Sequence, residues 1–137
     1  MDKGLRIIIA GGRDFNDYEL LRKECLRIIS DKVQRMGYKT IPREKVTIIS
    51  GTAKGADTLG EKFSAEFNLG LEKFPADWTN DGKAAGPIRN KKMLDYALAD
   101  PEDYEGMLIA FWDGKSSGTA NMIKISKPWI ETDVVGY

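Results

Sequence analysis

Three short stretches carry the residues with the clearest capacity for chemistry: GGRDF from Gly11, SGTAKGAD from Ser50, and FWDGKSSGT from Phe111. Glycine after a strand lets the backbone approach an oxygen-rich ligand, and a following helix turns free amides and partial positive charge toward it. The expected cradle is Gly11, Gly12, Gly51, Gly55 and Gly118, with hydroxyls from Ser50, Thr52, Ser116, Ser117 and Thr119. Arg13, Lys54 and Arg89 add charge-assisted contacts, Asn90 adds an amide, and Trp78 and Trp112 offer faces on which a base stacks. Asp57 and Asp113 are the acids near these turns, and with Arg89 they are the candidates for catalysis.

Each of these features also has a plain structural reading. Glycines often only close tight turns, Asp57 suits the first turn of a helix on electrostatic grounds, and Trp112 suits a core position. Neither G-x-G-x-x-G nor G-x-x-x-x-G-K-[ST] occurs, which removes support for a dinucleotide fingerprint or a P-loop. The 137 residues contain no histidine, excluding Ser-His-Asp and Cys-His catalysis and histidine-ligated zinc. No metal site or cofactor is expected. With 21 basic and 21 acidic side chains, any anion site must be local.

The elements that position the three turns follow from periodicity. Leu5–Ala10 and Val46–Ser50 are apolar, β-branched runs of buried-strand length, and Met107–Trp112 reads the same way. Leu71–Phe74 is a shorter strand, and Trp129–Val135 an edge strand. Helical spacing links Leu21, Cys25, Ile28 and Ile29 up to about Met36, with Asp14 or Asn16 as cap; a second helix spans Ala56–Asn68. PADWTNDGKAAG is a long polar loop, Pro87 opens a third helix ending at Asp100-Pro101, and a short one starts near Thr119. Strands alternating with helices imply a single α/β domain over residues 1–137: a mainly parallel sheet of four to five strands with helices on both faces. In such a sheet the three turns converge on one edge.

Cys25 falls on an apolar helical face and no disulfide framework is available. No apolar run is long enough for a membrane span, and Met1–Arg6 lead into the first strand without a signal-peptide pattern, so a cytoplasmic location is expected.

In order along the chain, GGRDF, SGTAKGAD, FPADW, AGPIRNKKM and FWDGKSSGT resemble the YspA-like branch of the SLOG superfamily. Relatives in that superfamily include LOG-type phosphoribohydrolases, the DNA-processing protein A family and proposed nucleotide-sensing domains. The resemblance implies a Rossmann-like fold with a ligand across these loops and makes a homodimer or higher assembly plausible. It also implies that Arg89, Met93, Gly118 and Thr119 are counterparts of LOG-type site residues, whereas the LOG glutamate position is occupied by Met122. The leading expectation is therefore a protein that binds or senses a nucleotide or nucleotide-derived phosphate. The alternatives are a nucleoside monophosphate N-glycosidase using Arg89 with Asp113 or Asp57, and a single-stranded nucleic acid binder using Arg13, Lys54, Arg89, Lys91 and Lys92.

Overall fold

The computed structural model describes residues 2–137. Its centre is β1 (Gly4–Gly11), buried along its length apart from the last residue, as a β-branched run covered on both faces must be. Beside it lie β2 (Val46–Ser50) and β4 (Tyr104–Trp112), with β3 (Gly70–Lys73) and β5 (Glu131–Gly136) at the edges. The order is β3-β2-β1-β4-β5 and every pair is parallel. After β3 the chain crosses back to the far side of β1, so strand order reverses between β1 and β4, where the carboxyl ends open a crevice.

Alternation along the strands sorts two cores. Leu5, Ile7, Ile9, Ile48, Ile109 and Phe111 face α1 (Tyr18–Arg35) and α2 (Ala56–Glu66), meeting Leu21, Cys25, Ile29 and Phe63. Ile8, Ala10, Ile49, Leu108 and Ala110 face α4 (Ala85–Leu98) and α5 (Ser117–Ser126), meeting Met93, Leu94, Ala97, Met122 and Ile123. Cys25 is fully buried, and that burial pushes its thiol pKa well up, which makes it a packing residue.

Several boundaries differ from the sequence reading for local reasons. The cap of α1 is Asp17, which accepts the Leu20 amide at 3.0 Å, in place of Asp14 or Asn16. The polar loop after β3 is partly helical: α3 (Trp78–Asp81) is capped by Asp77 and a 3-10 turn over Gly82–Ala84 leads directly into α4. Consequently α4 begins at Ala85, with Pro87 its third residue; the missing proline N–H still falls among the first-turn donors that lack intrahelical partners. α2 ends at Glu66, and α5 starts two residues before Thr119, at Ser117. The tail strand is parallel to β4, reached by a crossover through α5.

At the sheet edge away from the three turns, Lys32 is buried and holds Glu105 at 3.0 Å and Glu131 at 3.1 Å, tying α1 to β4 and β5. Arg35 grips Glu131 through its two terminal guanidinium nitrogens, Nη1 and Nη2. Among the described residues no helix is long and apolar enough to cross a membrane.

Candidate functional site

A cleft of about 650 Å³ opens at the carboxyl ends of β1 and β4. β1 supplies Ala10 and Gly11 and continues into Gly12, Arg13 and Asp14; the β2 turn supplies Ala53 and Asp57; α4 supplies Arg89, Asn90 and Met93. Asp113, Ser117, Gly118, Thr119 and Met122 close it from the β4 side, and Trp78 and Lys83 from the segment before α4.

The first two turns are locked into each other. The Gly12 carbonyl accepts amides from Phe15 at 3.3 Å and Ala56 at 3.2 Å. A side chain on Gly55, whose φ is +80°, would run into that same carbonyl and the Arg13 backbone. Gly11 packs with equal closeness against Phe111 and Ala56. These glycines therefore have a packing reason for being glycine.

The second turn also consumes two of its own donors. Ser50 Oγ accepts the Thr52 amide at 3.1 Å and Asp57 Oδ2 accepts the Ala53 amide at 3.1 Å. Ser50 Oγ in turn donates to Glu61 at 2.6 Å. Thr52 and Lys54 are exposed, and Ser50, Gly51, Thr52, Lys54 and Gly55 lie outside the cleft lining, so this turn reaches the cleft through Ala53 and Asp57 alone.

The third turn is built differently. Asp113 Oδ1 accepts the Lys115 and Ser116 amides at 2.8 and 2.9 Å, which fixes the turn and holds its carboxyl below the usual carboxylate range. Trp112 donates its indole N–H to the Ser116 carbonyl at 3.0 Å and packs on the α4–α5 core, so its ring braces the turn and does not line the cleft. The cap residue of α5, Ser116, makes no side-chain capping bond; its hydroxyl lies 3.3 Å from the Thr119 hydroxyl instead. The first-turn amides of Ser117, Gly118 and Thr119 thus lack a cap and border the cleft. Nothing lies within 4 Å of the position a Gly118 side chain would take.

Opposite this helix end stands Arg89, half-buried, donating Nη1 to the Gly51 carbonyl and Nε to Asn90 Oδ1 at 3.1 Å. Buried Asn90 donates to Asn121 Oδ1 at 2.9 Å and the Gly118 carbonyl at 3.3 Å, connecting the arginine to α5. Burial lowers the Arg89 pKa, and the neighbouring Asp57 opposes that shift. Asp57 is itself buried, and desolvation raises its carboxyl to about 6 despite the Ala53 amide and the Arg89 charge. At the mouth, the Arg13 guanidinium lies 5.9 Å from the centre of the half-exposed Trp78 ring.

The cleft therefore gathers Gly11, Gly12, Arg13, Asp57, Trp78, Arg89, Asn90, Asp113, Ser117, Gly118 and Thr119 from the sequence reading. It adds Lys83 and Asn121, which no motif marked, and a long-range contact: Tyr137 donates its hydroxyl to Asp14 at 2.7 Å and lies directly over Gly12. Only the position of β5 beside β4, itself next to β1, brings that tyrosine to the first turn. Among the described residues no cluster of histidine, cysteine or carboxylate side chains could hold a metal ion.

An all-parallel, doubly wound α/β sheet with a cleft at its switch point is a Rossmann-like protein. Within that class the chain belongs to the YspA, cpYpsA-related SLOG family, whose model matches residues 5–80. That stretch holds the first two turns and Trp78, while Arg89 and the α5 turn lie beyond it. The chain is also similar to the Gene 61 protein of Mycobacterium phage D29, with 29% identity over 124 residues, covering 87% of this chain and 86% of that protein. No solved structure matches the chain.

Proposed function

We propose that the cleft binds a nucleotide or nucleotide-derived phosphate, with the phosphate at the start of α5. The observation that carries this reading is the uncapped first turn of α5 at Ser117, Gly118 and Thr119, bordering the cleft that Arg89 enters from the other side. An anion there receives amide donors, the positive end of the helix dipole and a guanidinium held in place by Asn90. Trp78 and Arg13 at the mouth suit a planar base, and the cleft volume falls within the ordinary range for small-ligand sites. The second turn, whose Thr52, Ala53 and Ala56 amides are already bonded, presents the Asp57 carboxyl to the cleft, so the phosphate is assigned to α5.

A hydrolytic version of the same reading rests on Asp57, a buried carboxyl whose pKa of about 6 suits proton transfer near neutrality. Asp113 is the weaker candidate, because its backbone bonds occupy one oxygen and keep it ionised.

The test combines thermal shift with mass spectrometry on a panel of nucleoside mono- and diphosphates, sugar nucleotides and cyclic nucleotides. A ligand at 100 times its Kd adds about 2.7 kcal/mol of stability, which moves Tm by several degrees in a domain of this size. A shift with intact ligand supports a binder or sensor. Release of a free base that Asp57→Asn abolishes supports the glycosidase. No shift and no turnover with any member of the panel rejects the phosphate site.

A further inference from the structure

On the α1–α2 face, well away from the cleft described above in sequence and lining, a second cavity of about 520 Å³ has no role in the proposed function. Its origin is an axial offset between the helices. Tyr18 and Arg22, at the start of α1, both bond Glu66, the last residue of α2, so the rest of α1 runs on past the end of α2. The α1–β2 connection forms the opposite wall without filling the gap. It is anchored away from α2 by the Tyr38 hydroxyl, which donates to the Lys3 carbonyl at 2.8 Å, and by Lys45, which donates to the Asp2 carbonyl at 3.2 Å.

The lining is amphipathic. Ile29 and Phe63 form a fully buried floor, half-buried Leu26, Ile41, Phe67 and Leu69 form the walls, and exposed Lys39 and Arg43 stand at the rim. No Asp or Glu lines the cavity, and neither rim cation takes part in an ion pair among the described residues. The apolar surface is recessed: among the described residues, none of the exposed large hydrophobic side chains belongs to this cavity. A flat protein surface meets only the rim of such a recess, whereas a narrow chain enters between its walls. Apolar depth beneath an unpaired cationic rim complements an amphipathic anion.

We infer that this cavity is a second ligand site, specific for a medium-chain aliphatic carboxylate whose hydrocarbon lies against Ile41, Phe67 and Leu69 and whose carboxylate meets Lys39 and Arg43. The fit is electrostatic at the rim and hydrophobic within.

Decanoate, octanoate and neutral decanol, each below its aggregation threshold, are the probes, titrated into isotope-labelled protein with amide shifts followed by NMR. Saturable shifts at Leu26, Ser30, Thr40, Ile41 and Leu69 are expected. Each added methylene from octanoate to decanoate should tighten binding roughly fourfold. The double variant Lys39→Glu/Arg43→Glu, at two exposed positions, should weaken decanoate at least about tenfold by replacing attraction with repulsion, yet leave decanol unchanged. Ser30→Phe, which fills the cavity from α1, should abolish binding of both, with a retained cooperative melt showing that the variant folds. The inference is overturned by absence of shifts up to ~1 mM probe, by shifts centred on Arg89 and Thr119, or by a double variant that binds decanoate as well as the natural chain does.

Discussion

Asp57 is the residue on which the chemistry of the cleft turns, because its charge state is set by burial against opposing help from the Ala53 amide and Arg89. A carboxyl whose pKa is raised from 3.8 to about 6 on folding binds its proton more tightly in the native state. Its ionisation therefore costs native stability above about pH 6, a cost relieved as pH falls from about 6 toward the unfolded value near 4. Arg89 faces it from α4, Glu61 from its own helix and Arg13 from the first turn. An ionised Asp57 neutralises part of the Arg89 field, and a protonated one leaves that field to the proposed phosphate. Nucleotide affinity should accordingly rise as pH is lowered from 8 to 5.5, and Asp57→Asn should remove that component, leaving only the titration of the phosphate itself. Calorimetric titration of both proteins across the range measures the difference, and identical pH profiles would reject the coupling. The acid was visible in the sequence, but its burial was not, since that depends on Gly51: a side chain there would come within 2.6 Å of Arg89 Nη1 and 2.8 Å of Asp57 Oδ2.

At the scale of elements, the two helix starts that face the cleft are not equivalent, and the sequence could not separate them. SGTAKGAD and DGKSSGT both read as glycine-bearing turns before helices. Only three-dimensional contacts reveal that the α2 turn bonds its Thr52, Ala53 and Ala56 amides and carries the buried Asp57 carboxyl in its first turn, while the first turn of α5 holds no acid and lines the cleft with Ser117, Gly118 and Thr119. Strands were legible because buried β-branched runs have few other readings; β1, β2 and β4 lie where the apolar runs put them. α3 was not, because one tryptophan followed by three polar residues carries no periodic signal. Trp112 and Lys54 were natural choices beside a glycine turn, yet the indole braces Ser116 and the lysine stands outside the cleft lining. The asymmetry between the helix starts gives a test that separates folding from binding. Ser117→Asp places an anion in the exposed first turn of α5, where the dipole favours it by about 0.3–1 kcal/mol. Stability should hold or rise in urea unfolding, while nucleotide affinity should fall at least about tenfold, because the carboxylate occupies the proposed phosphate position and repels an anion there. An unchanged Kd in this variant places the phosphate elsewhere.

The molecule as a whole concentrates its buried polar chemistry at two opposite ends of one sheet. At the carboxyl end Asn90 joins Arg89 to α5; at the amino end Lys32 joins α1 to Glu105 and Glu131. Both side chains are buried, and removing either leaves partners short of a bond. For Asn90→Ala the loss of two donors and one acceptor should cost about 1–3 kcal/mol. Lys32→Met keeps the length and apolar stem but removes the charge. Because Glu105 and Glu131 remain about a third exposed and Arg35 still holds Glu131, its cost should fall below the ~3–5 kcal/mol of a fully buried broken pair, at about 1–2 kcal/mol. Sites this far apart without shared partners add in stability, so the double variant should lose the sum of the two within about 0.5 kcal/mol. Binding divides them: Asn90→Ala frees the Arg89 guanidinium and weakens nucleotide affinity along with stability, whereas Lys32→Met lowers Tm and leaves Kd unchanged. Urea unfolding paired with calorimetric titration on the four proteins measures both quantities. A Lys32→Met variant that loses nucleotide affinity would mean that the sheet transmits strain from one end to the other, and the cleft would then have to be treated as coupled to the α1–β4–β5 charge network.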